Sequence, residues 1–302
     1  MKKIIKKAVV TGASGFIGKS LVEYLARIGT EVTAVDILPF LKKGVCKSEV
    51  IDIAETGALD SLLDSNTVVF HMAARANVAA SVKDPKSDFR DTLYGLFEVI
   101  ESARKFKSRV IFPSTVSIFD SSGALPASER SFVKPISPYA AAKVAGEAYC
   151  SAYHKCYGLD VRVARMFSVY GTGMTRFAIY DIIQKIRKNH SEIEVLGDGK
   201  QIRDYLYIDD AIEGLVTIAT AGQPGEDYNL ASGIPVKISE LTKTIASLMG
   251  YPHIKINFTG SSFAGDVPKW YADIHKIKKI GFCPKMSLEA GLKKTIKRML
   301  AS

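Results

Sequence analysis

The sequence predicts an α/β fold: a doubly wound parallel sheet (Rossmann type) with a smaller α/β lobe towards the C-terminus. Three observations predict it. Short β-branched runs alternate with stretches of helical spacing through the first half. A glycine-rich bend, Thr11-Gly-Ala-Ser-Gly-Phe-Ile-Gly18, joins the first run to the first helix. An acidic residue, Asp36, closes the second run 18 residues past Gly18.

The elements follow in order. Ala8 to Thr11 is an apolar run that stops at glycine and reads as the first strand. Ile17, Leu21, Tyr24 or Leu25, and Ile28 then recur at helical spacing, and Gly29 closes that helix as its C′ residue. Glu31 to Val35 is a second strand ending in Asp36; Val50 to Ile53, Thr67 to Phe70, Val110 to Phe112 and Val161 to Ala164 continue the series. Lys86 to Phe106 reads as one helix with Phe89, Leu93, Leu96 and Ile100 on a single stripe. Ser137-Pro138 starts another, with serine as cap and proline in the first turn. It runs through Ala140, Ala141, Ala142 and Ala145 to about Tyr157; alanine favours helix and lets neighbours pack close.

After about residue 167 the pattern changes. A helix is expected from Arg176 to Asn189, a turn at Gly197-Asp198-Gly199, a strand at Tyr205 to Ile208 and a helix from Asp209 to Ala221. Ser239 is expected to cap a helix ending at Gly250, and Ser287 to start the last one, with Leu288, Leu292, Ile296 and Leu300 on its apolar face. No linker, repeat or low-complexity tract divides the chain. Residues 1–167 are therefore expected as one domain, rejoined by about 204–222, with 168–302 forming mainly the second lobe.

Composition narrows the function classes. Of 302 residues, 47% are hydrophobic and 24% charged, which excludes disorder as the main state. No apolar run approaches the roughly 18 residues of a membrane helix. Lys2, Lys3, Lys6 and Lys7 resemble the start of a signal peptide, but the glycine-broken segment that follows is too short to complete one. The four cysteines show no paired spacing and the five histidines are scattered, so a cytoplasmic protein without a metal site is expected. The net charge of +10 is concentrated at the two ends, without interleaved aromatics or a nucleic-acid motif, and suits an anionic small substrate.

Three constellations carry chemistry. Gly12, Gly15 and Gly18 let the backbone approach a phosphate, and the helix N-terminus behind them offers N–H donors. With a strand before and a helix after, and Asp36 placed to bond a ribose 2′-hydroxyl and repel a 2′-phosphate, the bend predicts a dinucleotide site that takes NAD rather than NADP. Tyr139-Ala-Ala-Ala-Lys143 puts a phenol and an ammonium one helical turn apart, so the ammonium is expected to lower the phenol pKa for proton transfer. Phe112-Pro-Ser-Thr-Val-Ser-Ile-Phe119 lies at the carboxyl end of the fifth strand, where Thr115 can hold a substrate oxygen beside Tyr139.

Together these motifs resemble the extended short-chain dehydrogenase/reductases, and within them the nucleotide-sugar epimerase/dehydratase family. The resemblance extends over Phe70-His-Met-Ala-Ala74, Asp84-Pro85, Arg165-Met-Phe-Ser-Val-Tyr-Gly171, Gly197-Asp-Gly-Lys-Gln-Ile-Arg-Asp-Tyr205, Tyr228-Asn-Leu-Ala-Ser-Gly233 and Gly265-Asp-Val-Pro268. It implies Tyr139 as the acid/base on the sugar O4, Lys143 as its partner and ribose anchor, and Thr115 as the hydroxyl at the reacting oxygen. It implies cofactor contacts from Gly12, Ser14, Gly15, Phe16, Ile17, Gly18 and Asp36, from Asp52 and Ile53 at the adenine, and from Ala73 and Ala74. It implies Arg203 at the substrate diphosphate, with Ser117 and Ser168 at the sugar.

The departures from the family pattern are informative. Dehydratases place Asp-Glu directly after the threonine of the fifth strand; here Val116 and Ser117 stand there. Ser117 also replaces the glutamate usual in the decarboxylases. Thr92 and Ser168 stand for asparagines, Asp120 for a glycine, and Phe263 for a second phosphate-binding arginine of UDP-galactose epimerases. The resemblance thus implies NAD-dependent 4-epimerisation of a nucleotide-diphosphate sugar by a homodimer, with no nucleic-acid or membrane partner. An NAD(P)H-dependent reductase of 4-keto nucleotide sugars shares the same triad. A non-catalytic dinucleotide- or RNA-binding protein is the remaining alternative.

Overall fold

A computed structural model describes residues 5–42, 44–120, 122–261 and 265–301. Phe263, Lys2 and Lys3 lie outside the described residues. The first half runs β1 (Lys7–Thr11), α1 (Phe16–Arg27), β2 (Glu31–Asp36), β3 (Lys47–Val50), β4 (Thr67–His71), α2 (Val78–Lys83), α3 (Pro85–Asp88), a π-helical turn (Phe89–Tyr94), α4 (Gly95–Phe106) and β5 (Arg109–Thr115). After α5 (Pro138–Tyr157) and β6 (Val161–Met166) come β7 (Ser168–Tyr170), α6 (Ala178–Lys188), β8 (Glu192–Val195) and β9 (Ile202–Tyr207). The chain continues with α7 (Ile208–Ala221), β10 (Asp227–Leu230), β11 (Pro235–Lys237), α8 (Ile238–Leu248), β12 (Lys255–Phe258), α9 (His275–Lys279) and α10 (Leu288–Leu300).

Seven parallel strands form the main sheet in the order β10-β6-β5-β4-β1-β2-β3. Side-chain alternation divides its two faces. Val9, Val69 and Val110 pack with Leu96, Val99 and Ile100 of α4. Ala8, Val10, Val68, Phe70 and Ile111 pack with Leu21 and Leu25 of α1 and Leu215 and Ile218 of α7. Helices thus cover both faces, as a near-continuous apolar strand pattern requires. The strand order reverses between β4 and β1, and the crevice at that reversal opens where the strands end. The second half adds a small sheet, β11-β9-β7, and a parallel pair, β12-β8, while α7 and β10 return to the main sheet.

Helix α5 matches its sequence signature from end to end. Ser137 Oγ accepts from Ala140 N–H, Pro138 is the first helical residue, and Gly158 ends the helix at a φ of 68°. Its small residues have a packing reason: a Cβ on Gly146 would stand 2.7 Å from Leu96 Cδ2 and 2.8 Å from Phe112 Cζ.

Several elements depart from expectation. The third strand is Lys47–Val50, not Val50 to Ile53. All four of its residues are exposed, as an edge strand tolerates, while buried Ile53 packs against Gly95 from a loop. Apolar character there reports loop anchoring rather than pairing. The expected helix from Lys86 to Phe106 is interrupted by the π turn. Leu96 and Ile100 are buried as predicted, but Phe89 is 57% exposed, and Asp88 and Thr92 face inward instead. The wider turn shifts the phase of everything before it. Helix α6 starts at Ala178 rather than Arg176, and β9 starts at Ile202, three residues before the expected Tyr205. Ser239 lies inside α8, whose N-cap is Lys237; its N–H donates to Gly199 C=O. At the C-terminus Ser287 caps α10 as expected, but Met299 is buried and Leu300 is exposed.

Candidate active site

The glycine bend is built by contact. Gly12 has a φ of 65°, and a Cβ there would lie 2.5 Å from Ala73 N. A Cβ on Gly18 would lie 2.1 Å from Gly12 O, so the loop folds directly onto the start of α1. Gly15 is the N-cap of α1 and supplies no capping side chain. An uncapped helix start behind a glycine bend is an anion site by construction. Phe16 and Ile17, half-buried, begin the helix. Asp36 stands at the end of β2, its Oδ2 accepting from Ser14 N–H (2.9 Å) and its Oδ1 from Leu38 N–H (3.1 Å). Ser14 Oγ donates to Leu38 C=O, tying the bend to the strand end. These groups fit a dinucleotide: phosphates at the helix start, a fixed carboxylate one strand away.

The rest of the expected cofactor set lies on the same side. Thr11 Oγ1, at the end of β1, accepts from Ala73 N–H (3.3 Å), which places Ala73 and Ala74 after β4 beside the bend. Asp52 and Ile53 follow β3; the Asp52 carboxylate is held below its usual range by Arg90, 2.6 Å away.

Tyr139 and Lys143 are both buried on the first turns of α5. Lys143 Nζ donates to Pro113 C=O (2.8 Å) and sits 5.9 Å from the centre of the Tyr139 ring. Burial dominates both groups: it lifts the Tyr139 phenol to about 12 and lowers the Lys143 ammonium to about 8. The sequence expectation that Lys143 lowers the phenol pKa is therefore corrected. The ammonium is turned to a backbone carbonyl, and the influences that lower the phenol are a hydrogen bond with Thr115 and the charge of Arg176. Thr115, at the end of β5, also bonds Ser117, its Oγ1 donating to Ser117 Oγ (3.3 Å) and accepting from Ser117 N–H. His71, at the end of β4, has its Nδ1 3.0 Å from Thr11 Oγ1, while its Nε2 is buried without a partner among the described residues. Burial, with the charge of Lys143, pushes this imidazole down to about 3.

Arg203, on β9, is buried and held on three sides. Its Nη2 pairs with Asp266 (2.7 Å), its Nη1 donates to the carbonyls of Ile202 and Pro268, and its guanidinium lies 4.1 Å from the centre of the Trp270 ring. Neither Asp204 nor Asp209 is its partner; Asp204 instead accepts from Ser232, Gly233 and Ala272. A cavity of about 190 Å³ lined by Val116, Phe119, Leu125, Phe132, Val267 and Trp270 joins the end of β5 to this arginine's support. Ser168, half-buried, opens β7 alongside β9. Sequence reasoning missed Arg176, Trp270 and Asp88. None belongs to a periodic or glycine-marked pattern; only the folded chain brings them to the site.

Comparison with known proteins gives the family. Residues 8–231 match the NAD dependent epimerase/dehydratase family. The chain belongs to that family. A UDP-glucuronate 4-epimerase of Thermodesulfobacterium geofontis is 33% identical, over 95% of this chain and 94% of its own. A UDP-glucose 4-epimerase of Mycolicibacterium smegmatis is 30% identical, over 96% and 97%. The solved UDP-glucose 4-epimerase of Thermotoga maritima with UDP-glucose has 28% identity and a TM-score of 0.90, covering 98% of this chain and 99% of that one. No helix among the described residues is long and apolar enough to cross a membrane.

Proposed function

We propose that this enzyme interconverts the C4 epimers of a nucleotide-diphosphate sugar through a transient 4-keto sugar, using NAD that it regenerates. The observation that carries the reading is the convergence of buried Tyr139, Lys143 and Thr115 on the side of the sheet where the glycine bend and Asp36 stand. Bound NAD would supply the acceptor and donor for the C4 hydrogen, and its cationic nicotinamide ring would favour the phenolate that burial disfavours. Gly12, Ser14, Gly15, Phe16, Ile17 and Gly18 would hold its phosphates, Asp36 its ribose, Asp52 and Ile53 its adenine, and Ala73, Ala74 and Lys143 its nicotinamide half.

The protein's own part is proton handling and positioning. Tyr139 takes the O4 proton and later returns it, and Thr115 holds O4 by its hydroxyl. Arg203, pre-set by Asp266 and Trp270, receives the diphosphate at little ordering cost. Ser117 and Ser168 line the sugar. Val116 and Ser117 offer no carboxyl group for C5–C6 elimination, so the chemistry closes at C4. Residues 1–167 with about 204–222 would serve the cofactor, and 168–302 mainly the substrate. A cytoplasmic homodimer belongs to the same reading; exposed Phe89 and Tyr94 in the π turn and Tyr149 on α5 support the dimer.

The test is product analysis. Incubation with UDP-glucose, UDP-glucuronate or UDP-N-acetylglucosamine and a trace of NAD is expected to give a 4-epimer by NMR, with no net NADH formed or consumed. Stoichiometric NADH or NADPH consumption would identify the 4-keto reductase instead.

A further inference from the structure

Asp88 is a carboxylate next to the active site to which the proposed mechanism gives no part. It ends α3, is 1% exposed, and lies where the helix widens into the π turn. Among the described residues its Oδ1 receives only a long hydrogen bond from Thr92 Oγ1 (3.5 Å), and its Oδ2 is buried with no hydrogen-bond partner. A regular helix would turn Phe89 and Leu93 inward; the π turn buries Asp88 and Thr92 and sends the aromatic ring outward. A helix that exchanges an aromatic for an under-satisfied carboxylate needs an opposite charge nearby to offset desolvation.

That charge is on α5. Asp88 shares a groove with Pro138, Ala141 and Ala142, the turn that carries Tyr139 and Lys143. After burial, Lys143 is the largest influence on Asp88, and Asp88 the largest on Lys143. The other titratable groups facing Asp88 are Tyr139, whose phenol its charge raises, Arg75, bound to Asp91 at 2.6 Å, and Asp91 itself. The other titratable groups facing Lys143 are Tyr139 and Glu147 on its own helix, and two that burial keeps neutral, His71 on β4 and Cys150 on α5.

We propose that Asp88 is a positioning residue: the buried counter-charge that fixes the Lys143 ammonium beside Tyr139. The role rests on the proposed use of Tyr139 and Lys143. A double-mutant cycle on the full chain, near neutral pH and without added cofactor, tests the pairing apart from catalysis. Asp88→Asn is expected to lower Tm by at least about 3 °C with Lys143 present, and by less than about 1 °C in a Lys143→Met background. The pH profile of turnover is the second readout. Asp88→Asn should move the alkaline limb down by about one pH unit, and Asp88→Glu should restore it. Equal Tm losses in both backgrounds, no loss in either, or an unmoved alkaline limb overturns the proposal. If the wild-type chain converts no nucleotide sugar, the functional reading fails, and the thermal cycle alone decides the role of Asp88.

Discussion

His71 makes the protein acid-sensitive in a way that can be isolated. Its imidazole is buried, its Nε2 has no partner among the described residues, and burial with the Lys143 charge holds it at about 3 against 6.5 when free. Below pH 6.5 the unfolded chain binds a proton that the folded chain refuses, so stability is lost as pH falls from about 6.5 towards 3. At pH 5, about one and a half units below the free value, the loss from this group is about 2 kcal/mol. In a chain of this size that is roughly 4 °C in Tm. Other carboxylates held low, Asp52 among them, add to acid sensitivity, so the group must be isolated by difference. Thermal unfolding of wild type and His71→Asn, with NAD at one saturating concentration, would be compared at about pH 7.5 and 5. The variant is expected to be less stable at the higher pH, having lost its stacking on Phe112. Its further loss on acidification should be smaller than that of wild type by roughly 4 °C. An equal acid loss in the two proteins would refute the argument.

Two predictions concern the cofactor bend. Gly18→Ala places a Cβ 2.1 Å from the Gly12 carbonyl oxygen, so the loop must leave the start of α1. NAD affinity measured by calorimetry should fall at least about tenfold while the circular dichroism of the fold is kept; unchanged affinity would mean the bend is not the phosphate site. On the proposed role of Asp36 in repelling a 2′-phosphate, Asp36→Asn should narrow the preference for NAD over NADP by roughly tenfold in competition binding. A preference that stays the same would place discrimination elsewhere.

Much of the fold was legible because it rests on local chemistry. Ser137, Pro138 and Gly158 bound α5 by capping and φ preference alone. The bend from Thr11 to Gly18 needs glycine for contacts that no side chain allows, so its spacing announced it. What failed depended on tertiary context. Ile51 and Ile53 are apolar because a loop packs on α4, not because they pair in a strand. The π turn at Phe89–Tyr94 leaves no periodic trace, since a single widened turn only shifts the phase of a stripe. The spacing of Tyr139 and Lys143 was read correctly, but their electrostatics were not. Spacing cannot report that the ammonium turns to Pro113 C=O or that burial outweighs both partners. Arg203 was located by motif, whereas Asp266 and Trp270, which hold it, lie more than sixty residues along the chain.

The central claim is that the Tyr139 phenol carries the proton at O4. Tyr139→Phe keeps the ring and removes only that oxygen. NAD affinity should remain within about threefold of wild type while interconversion of the 4-epimers falls by at least about a hundredfold. Near-wild-type interconversion in this variant would contradict the account.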